Sequence, residues 1–296
     1  MTTTESTMPG KNNWIKLTYD GLPRRKLKES FVIEYTETTN RNISFREACL
    51  ESAQEIHDQY HGNIYISMGG GSDSECVANS FYDQQLSFIP VIVKIEEYNR
   101  HDIRFALNWC KERNIVPMII EHTAKEWADI LVDYFIRSKN RMFWGIGNLY
   151  VGDRVKALGG YVVTGCCDLQ LLPDPGLHEQ YPTLTKEYSG YYTQWESDYA
   201  LDQYDPGYHP NGFFVWKPEM LLSFVNERDP EWSNEEAKWY IYKVPPRPKY
   251  HGGEYLSAYI FETHYKIFKN GMNLFGKHDW VIAGTKESIV QNLYKQ

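Results

Sequence analysis

Short apolar runs alternate with stretches in which apolar residues recur every three or four positions over the first half of the chain. The runs predict strands and the periodic stretches predict amphipathic helices. Nearly continuous apolar strands are typical of a parallel sheet that is covered on both faces. The predicted strands are residues 31–37, 63–67, 88–97, 116–122 and 159–165. The predicted helices are residues 44–61, 73–85, 102–113, a long helix from 123 and a stretch near 146–158.

The last four of these strands are separated by helices, so right-handed crossovers are expected between them. The sequence therefore predicts the α/β class, with a doubly wound, mainly parallel sheet and helices on both faces. Ser44 with Glu47 and Thr123 with Glu126 have the spacing of helix-capping pairs. Further helices are predicted at 218–227 and 233–244, and a last strand and helix from 280.

Composition and charge exclude several classes of protein. The formal net charge is −8, which argues against broad binding of nucleic acid because that needs a basic surface. No apolar run reaches the roughly 20 residues of a membrane helix. The N-terminus lacks the pattern of a secretory signal. The five cysteines are odd in number and scattered, which favours a reducing compartment, and a cytoplasmic location is expected.

The segment Ser67–Glu75, SMGGGSDSE, lies where the first strong parallel strand ends and a helix is predicted to begin. Such a junction presents unpaired backbone N–H groups at the positive end of the helix dipole and binds phosphate well. Ser72 and Ser74 add hydroxyl donors, and Asp73 beside phosphates favours a bridging Mg²⁺. The segment is neither a Walker A loop nor G-x-G-x-x-G. A capped glycine turn without function is the alternative interpretation.

This segment resembles the S-G-G-x-D-S signature of the PP-loop ATP pyrophosphatases, which include asparagine synthetase, NAD synthetase and tRNA thiolation enzymes. Gly70, Gly71, Asp73 and Ser74 match the signature. Gly69 replaces the usual serine, whose hydroxyl Ser67 is placed to supply. The resemblance covers roughly residues 60–170 and implies the adenine nucleotide alpha-hydrolase fold.

The resemblance also implies cleavage of ATP, with Mg²⁺, into AMP and pyrophosphate through an adenylated intermediate. The residues expected to bind pyrophosphate are Ser67, Gly69, Gly70, Gly71, Ser72, Asp73 and Ser74. Asp73 is expected to be catalytic and to hold the metal, with Asp168 after the fourth strand as a second metal ligand. Lys249 is the preferred catalytic cation for pyrophosphate, ahead of Arg247 and Lys217.

Three segments are predicted: a flexible N-terminal tail (1–30), a PP-loop nucleotide-binding α/β domain (31–170) and an aromatic-rich C-terminal elaboration (171–296) that forms the substrate pocket. Aromatic residues make up 15% of the chain. Proline, glycine and tyrosine without a clear period fill residues 168–218, which are predicted to be a long ordered loop.

The cysteines favour nitrogen transfer over sulfur transfer. Thiolation enzymes of this superfamily commonly use C-x-x-C pairs or an iron–sulfur cluster, and the chain has no C-x-x-C. The adjacent Cys166 and Cys167 are poorly spaced to bind one metal ion. The leading hypothesis is a ligase that adenylates a small substrate and transfers it to nitrogen. A sulfurtransferase acting on a nucleobase or tRNA and a non-catalytic nucleotide-binding protein are the alternatives.

The expected partners follow from that hypothesis. A small-molecule acceptor is expected. The nitrogen would come from free ammonia, from a separate donor protein or from a primary amine substrate, and a separate protein would donate sulfur in the alternative reaction. Neither nucleic acid nor a membrane is an expected partner, and the sequence is compatible with an oligomer.

Overall fold

The computed structural model describes residues 6–7, 14–18, 31–137, 146–166, 168–172, 190–193, 211–247, 256, 259–260, 262 and 281–295. The strands are β1 (Ser6–Thr7), β2 (Ile15–Thr18), β3 (Phe31–Tyr35), β4 (Ile64–Ser67), β5 (Ile89–Ile95), β6 (Met118–His122), β7 (Tyr161–Thr164), β8 (Leu169–Leu172), β9 (Gly190–Thr193), β10 (Asn211–Gly212) and β11 (Val281–Gly284). The helices are α1 (Phe45–Gln59), α2 (Ser72–Asp83), α3 (Arg100–Glu112), α4 (Ala124–Arg137), α5 (Ile146–Ala157), α6 (Pro218–Glu227), α7 (Asn234–Tyr242) and α8 (Lys286–Leu293).

The central sheet contains five parallel strands in the order β10-β7-β4-β5-β6. The predicted doubly wound α/β sheet is confirmed, including all four strands assigned to it. From β4 the chain adds β5 and β6 on one side and then returns to place β7 on the other side. The strand order therefore reverses between β4 and β7. Ligands of open α/β sheets bind outside the carboxyl ends of the strands at such a reversal.

Helices cover both faces of this sheet. On one face, α1, α2 and α3 share a buried apolar core with α6 and α7. On the other face, α4 and α5 pack in a second core with Leu256 and Ile260. The predicted caps at the starts of α1 and α4 are present: Ser44 and Glu47 form a reciprocal capping box, and the carboxylate of Glu126 accepts from the backbone N–H of Thr123 at 2.8 Å.

A second sheet has the order β1-β2-β3-β11-β9-β8, in which β3 and β11 are parallel and the other pairs are antiparallel. The sequence predicts strands at 31–37 and near 281, but not their pairing with one another. It also misses β8 and β9, which lie in the stretch without a clear period. A pairing between segments about 250 residues apart leaves no local pattern to read.

Part of the segment predicted to be an N-terminal tail packs against the rest of the fold. Trp14 is fully buried, and its indole N–H donates to the carbonyl oxygen of Val215 at 3.2 Å. Residues 15–18 form β2, which pairs with β3 over four residues. Burying the large apolar surface of Trp14 offsets part of the cost of ordering this segment.

The larger core also joins the predicted domains. It contains residues of α1 and α2 together with residues of α6, α7 and α8. The boundaries near residues 30 and 170 remain predictions. Within the described part of the chain, no helix is long and apolar enough to cross a membrane.

Candidate active site

A cleft of about 690 Å³ opens at the carboxyl ends of β4 and β7. Its floor is the β4–α2 loop, and its walls come from α3, α5, α7 and the segment after β7. Every residue predicted to bind pyrophosphate lines this cleft: Ser67, Gly69, Gly70, Gly71, Ser72, Asp73 and Ser74. The cleft therefore lies at the strand-order reversal, where the topology alone places a ligand.

The loop after β4 leads directly into the N-terminus of α2. Gly71 is the N-cap and has extended backbone dihedrals, and no side chain hydrogen-bonds to the first turn as a cap. The Ser74 hydroxyl donates to the Gly71 carbonyl at 3.1 Å. Helix N-termini leave backbone N–H groups without intrahelical partners. An anion in this cleft would meet those N–H groups together with the helix dipole.

Position 70 requires a glycine because of both its backbone conformation and its close neighbours. Its φ is +92°, which L side chains rarely adopt, and a Cβ there would overlap the carbonyl oxygen of Asp102 at the start of α3. The loop consequently packs against α3 by backbone contact. Asp102 itself lines the cleft.

The two carboxylates predicted to bind metal face a common cation. Lys238 of α7 places its Nζ 3.0 Å from Oδ2 of Asp73 and 2.9 Å from Oδ2 of Asp168. The side chains of Lys238 and Asp168 are 10% and 13% exposed, and that of Asp73 is 28% exposed. The structure thus brings Asp73 and Asp168 together, although they are far apart in the sequence.

The charges of this cluster shift each other's pKa values. Burial raises the pKa of Asp73 to about 6; the charge of Lys238 opposes that shift and the charge of Asp168 adds to it. Burial lowers the pKa of Lys238, but the attraction of Asp168 and Asp73 outweighs burial and raises it overall. Lys238 therefore stays protonated throughout the neutral range.

Asp73 retains an acceptor that a ligand can use. Its Oδ1 is buried and has no hydrogen-bond partner. Leaving a buried carboxylate oxygen unpaired is costly, so a cation bound at this atom would be favourable. Mg²⁺ takes oxygen ligands and is commonly bound through one or two carboxylates plus substrate phosphates. Asp73 fits that role through Oδ1. Within the described ranges, no group of three or more Asp, Glu, His or Cys side chains is arranged to hold a metal ion.

Arg247 supplies a second cation to the cleft. Its guanidinium donates to the carbonyl oxygen of Gly70 and pairs with Glu75, and it lies 4.7 Å from the ring centre of Phe105. Burial lowers the pKa of Arg247. Arg247 thereby joins the glycine loop, the first turn of α2 and Phe105 of α3 at one side of the cleft.

The other predicted cations have different outcomes. Lys249, the preferred catalytic cation, lies outside the described residues. Lys217 is buried away from the cleft, where its Nζ lies 2.7 Å from Glu51 and 3.2 Å from Glu55. The sequence interpretation passed over Lys238. The position of Lys238 in its helix could have identified it, because a lysine lies in the middle of the buried face of α7. The buried residues of this helix are Asn234, Ala237, Lys238, Ile241 and Tyr242.

One cysteine of the predicted adjacent pair lies in the cleft wall. Cys166 is half-buried, and the amide of Asn148 in α5 donates to its Sγ at 3.0 Å. Cys167 lies outside the described residues. Cys49, Cys76 and Cys110 are buried in helices. Cys166 is therefore the thiol that the described part of the chain presents to a ligand in this cleft.

Comparison with known proteins gives structural neighbours but no sequence relative. No family model and no curated protein matches the chain. The chain resembles NMN synthetase from Francisella tularensis, with 11% identity and a TM-score of 0.33 over 76% of this chain and 97% of that chain. It resembles an NH3-dependent NAD synthetase from Campylobacter jejuni, with 15% identity and a TM-score of 0.32 over 64% of this chain and 99% of that chain. It also resembles the U34-tRNA thiolase NcsA from Methanococcus maripaludis with its [4Fe-4S] cluster, with 12% identity and a TM-score of 0.31 over 85% of this chain and 88% of that chain.

Structural neighbours of the chain thus include enzymes of the PP-loop ATP pyrophosphatase superfamily. Their overall similarity is low, with TM-scores of 0.31 to 0.33. The roles assigned to residues of the cleft consequently depend on the geometry of this chain.

Proposed function

We propose that this chain binds ATP with Mg²⁺ in the cleft, cleaves it to AMP and pyrophosphate, adenylates a small substrate and transfers the activated group to a nitrogen nucleophile. The observation that carries the proposal is the uncapped glycine loop between β4 and α2, placed at the strand-order reversal with Asp73 in its first helical turn. The match of this loop to the S-G-G-x-D-S signature supports ATP as the anion.

The loop and its neighbours can stabilise the negative charge that develops on pyrophosphate as it leaves. Backbone N–H groups of the first turn of α2 and the hydroxyls of Ser67 and Ser72 supply donors to phosphate oxygens. Lys238 and Arg247 place two positive charges at the walls. Donors fixed before the reaction stabilise developing charge without reorganising, which is usually the largest contribution to catalysis.

The reaction balances without covalent participation by the protein. An oxygen of the substrate forms a bond to the α-phosphorus as the bond from that phosphorus to the α,β-bridging oxygen breaks, and pyrophosphate leaves. The nitrogen nucleophile then displaces AMP and loses a proton. Asp73 would hold Mg²⁺ through Oδ1, and the ion, when bound, neutralises phosphate charge. The protein's share is to position the reactants and exclude water.

A sulfurtransferase is the second candidate function, and Cys166 favours it. The thiol and Asp73 line the same cleft. In that case a nucleobase oxygen would be adenylated, and the terminal sulfur of a cysteine persulfide would displace AMP. A second thiol would then attack the carrier sulfur, which releases the thiolated base and leaves a disulfide. A protein that donates sulfur, in place of one that donates ammonia, would then be the partner.

Product analysis tests the proposal. Purified chain is incubated with radiolabelled ATP, Mg²⁺ and a panel of carboxylates with ammonia, and the nucleotides are separated. AMP and pyrophosphate in equal amounts, dependent on an acceptor, are expected. ADP as the main acceptor-dependent product would contradict the proposal. ATP binding without turnover under every condition would instead favour the non-catalytic alternative, and an Asp73→Asn sample controls for contaminating pyrophosphatases.

A further inference from the structure

The contact between Lys238 and two carboxylates bears on how many metal ions the cleft holds. Asp73 and Asp168 each direct Oδ2 to the same ammonium, at 3.0 Å and 2.9 Å. Those two oxygens would be the ligands of a metal ion shared by the two side chains. Mg²⁺ needs its oxygen ligands at about 2.0–2.1 Å and in near-ideal octahedral geometry. An ammonium that contacts both oxygens disfavours a divalent ion between them, because the two positive charges repel at such short distance.

Lys238 is held in place by the fold. It lies on the buried face of α7 between Ala237 and Ile241, which pack into the larger core. The helix begins with a reciprocal capping box, in which the side chains of Ser233 and Glu236 bond each other's backbone N–H. The side chain of Lys238 is only 10% exposed. The ammonium is therefore a fixed part of the cleft wall.

We propose that Lys238 serves as a built-in cation in the place of a metal ion shared by Asp73 and Asp168. Asp168 then holds Lys238 and does not bind metal. Asp73 then offers a divalent ion its Oδ1, which is buried and has no hydrogen-bond partner. Without Asp168 as a second ligand the cleft binds the ion weakly, so the ion enters together with the phosphates of the nucleotide. This last step depends on the proposed function, whereas the position of the ammonium does not.

Replacing Lys238 tests the proposal, because the variant should gain a site for a divalent ion. In Lys238→Met the two carboxylates lose their cation and keep a side chain of similar length. Titration with Mn²⁺ and no nucleotide, followed by electron paramagnetic resonance, should show little bound ion in the wild-type chain. The variant should bind one ion per chain at least roughly tenfold more tightly, which corresponds to about 1.4 kcal/mol. Adding Asp168→Asn to Lys238→Met should abolish the gain.

A control variant separates the local effect from net charge. Lys243→Met removes the same charge at the exposed end of the same helix and should leave Mn²⁺ binding unchanged. Tight Mn²⁺ binding by the wild-type chain that Asp168→Asn eliminates would overturn the proposal. So would a folded Lys238→Met chain that gains no binding. Since no nucleotide is present, these outcomes are independent of whether the chain turns over ATP.

A second measurement covers the case in which Lys238→Met does not fold. In the otherwise wild-type chain, Asp168→Asn leaves Lys238 paired with Asp73. If Asp168 only holds the lysine, this variant should bind Mn²⁺ with a non-hydrolysable ATP analogue at the wild-type stoichiometry and affinity. A tenfold or greater loss of Mn²⁺ affinity, with nucleotide affinity in the absence of metal unchanged, would show that Asp168 is a ligand and would overturn the proposal.

Discussion

Gly165, directly after β7, touches the backbone of Asp73 in the first turn of α2. A Cβ at Gly165 would lie 2.8 Å from the carbonyl carbon of Asp73 and 2.9 Å from the backbone nitrogen of Ser74. Real side chains do not approach backbone atoms so closely. The absence of a side chain at Gly165 thus sets how near the segment after β7 comes to the phosphate-binding loop.

Gly165→Ala should displace that loop. We expect a loss of about 1–3 kcal/mol in the free energy of unfolding, as for other overpacked sites, and weaker ATP binding. Denaturant unfolding and isothermal titration calorimetry measure the two effects. Gly69→Ala is the control for stability, because a Cβ there would meet nothing within 4 Å. Equal stability of Gly165→Ala and Gly69→Ala would contradict the contact.

Asp73→Asn should abolish Mg²⁺-dependent ATP turnover while the chain stays folded. The change keeps the shape of the side chain but removes the charge beside the leaving pyrophosphate. Turnover is measured by pyrophosphate release, and folding by circular dichroism. Asp83→Asn removes a charge from the other end of α2 and should leave turnover intact. Wild-type activity in Asp73→Asn would refute the role of Asp73.

Ser233→Ala should affect both stability and nucleotide binding. It removes the N-cap of α7, which carries Lys238, and cap removal typically costs about 1 kcal/mol. Ser44→Ala removes an equivalent capping box from α1, whose residues do not line the cleft. Similar losses of stability are expected, with weaker ATP binding in Ser233→Ala alone. Equal ATP affinities would show that the start of α7 does not position Lys238.

The sequence alone predicted those structural features whose determining residues lie within a few positions of one another. The strand–glycine–helix junction at 67–75 was predicted because each of its parts leaves a pattern within a few residues. The same holds for the caps at Ser44 and Thr123, whose hydroxyl accepts from the backbone N–H of Glu126. The central sheet followed from alternating apolar runs, since buried parallel strands are read from composition.

The rest depends on contacts between distant segments. Lys238 contacts Asp73, which lies 165 residues away in the sequence. A lysine on a helix is predicted to be a solvated side chain unless its neighbours in space are known. The second sheet pairs β3 with β11 from opposite ends of the chain. Trp14 was assigned to a tail because its partner, Val215, lies 201 residues away.

Glu51→Gln should lower stability at neutral pH and weaken the dependence of stability on acid. Arg41, and then Lys217, hold the pKa of Glu51 at about 2 against the opposing effect of burial. A carboxyl whose pKa is lower in the folded than in the unfolded chain stabilises the fold above the unfolded pKa, near 4.5. That stability is lost as the pH falls towards 2.

Urea unfolding at a series of pH values measures this contribution. The wild-type chain should lose more stability than Glu51→Gln between pH 4.5 and 2. Glu231→Gln, at an exposed position, should follow the wild-type curve. Parallel curves for wild type and Glu51→Gln would show that the ion pairs of Glu51 contribute nothing to the fold.

Replacing Cys166 and Cys167 together by alanine separates nitrogen transfer from sulfur transfer. In nitrogen transfer Cys166 only packs beside Asn148, whose amide donates to its sulfur. The double variant should then lose a little stability and keep its acceptor-dependent formation of AMP. In sulfur transfer a thiolate must carry the persulfide, so the variant should bind ATP and form no modified acceptor.

Cys110→Ala, which alters a buried thiol in α3 away from the cleft, controls for loss of packing. We expect nitrogen transfer; loss of acceptor modification in a folded double variant, with Cys110→Ala active, would reverse that order.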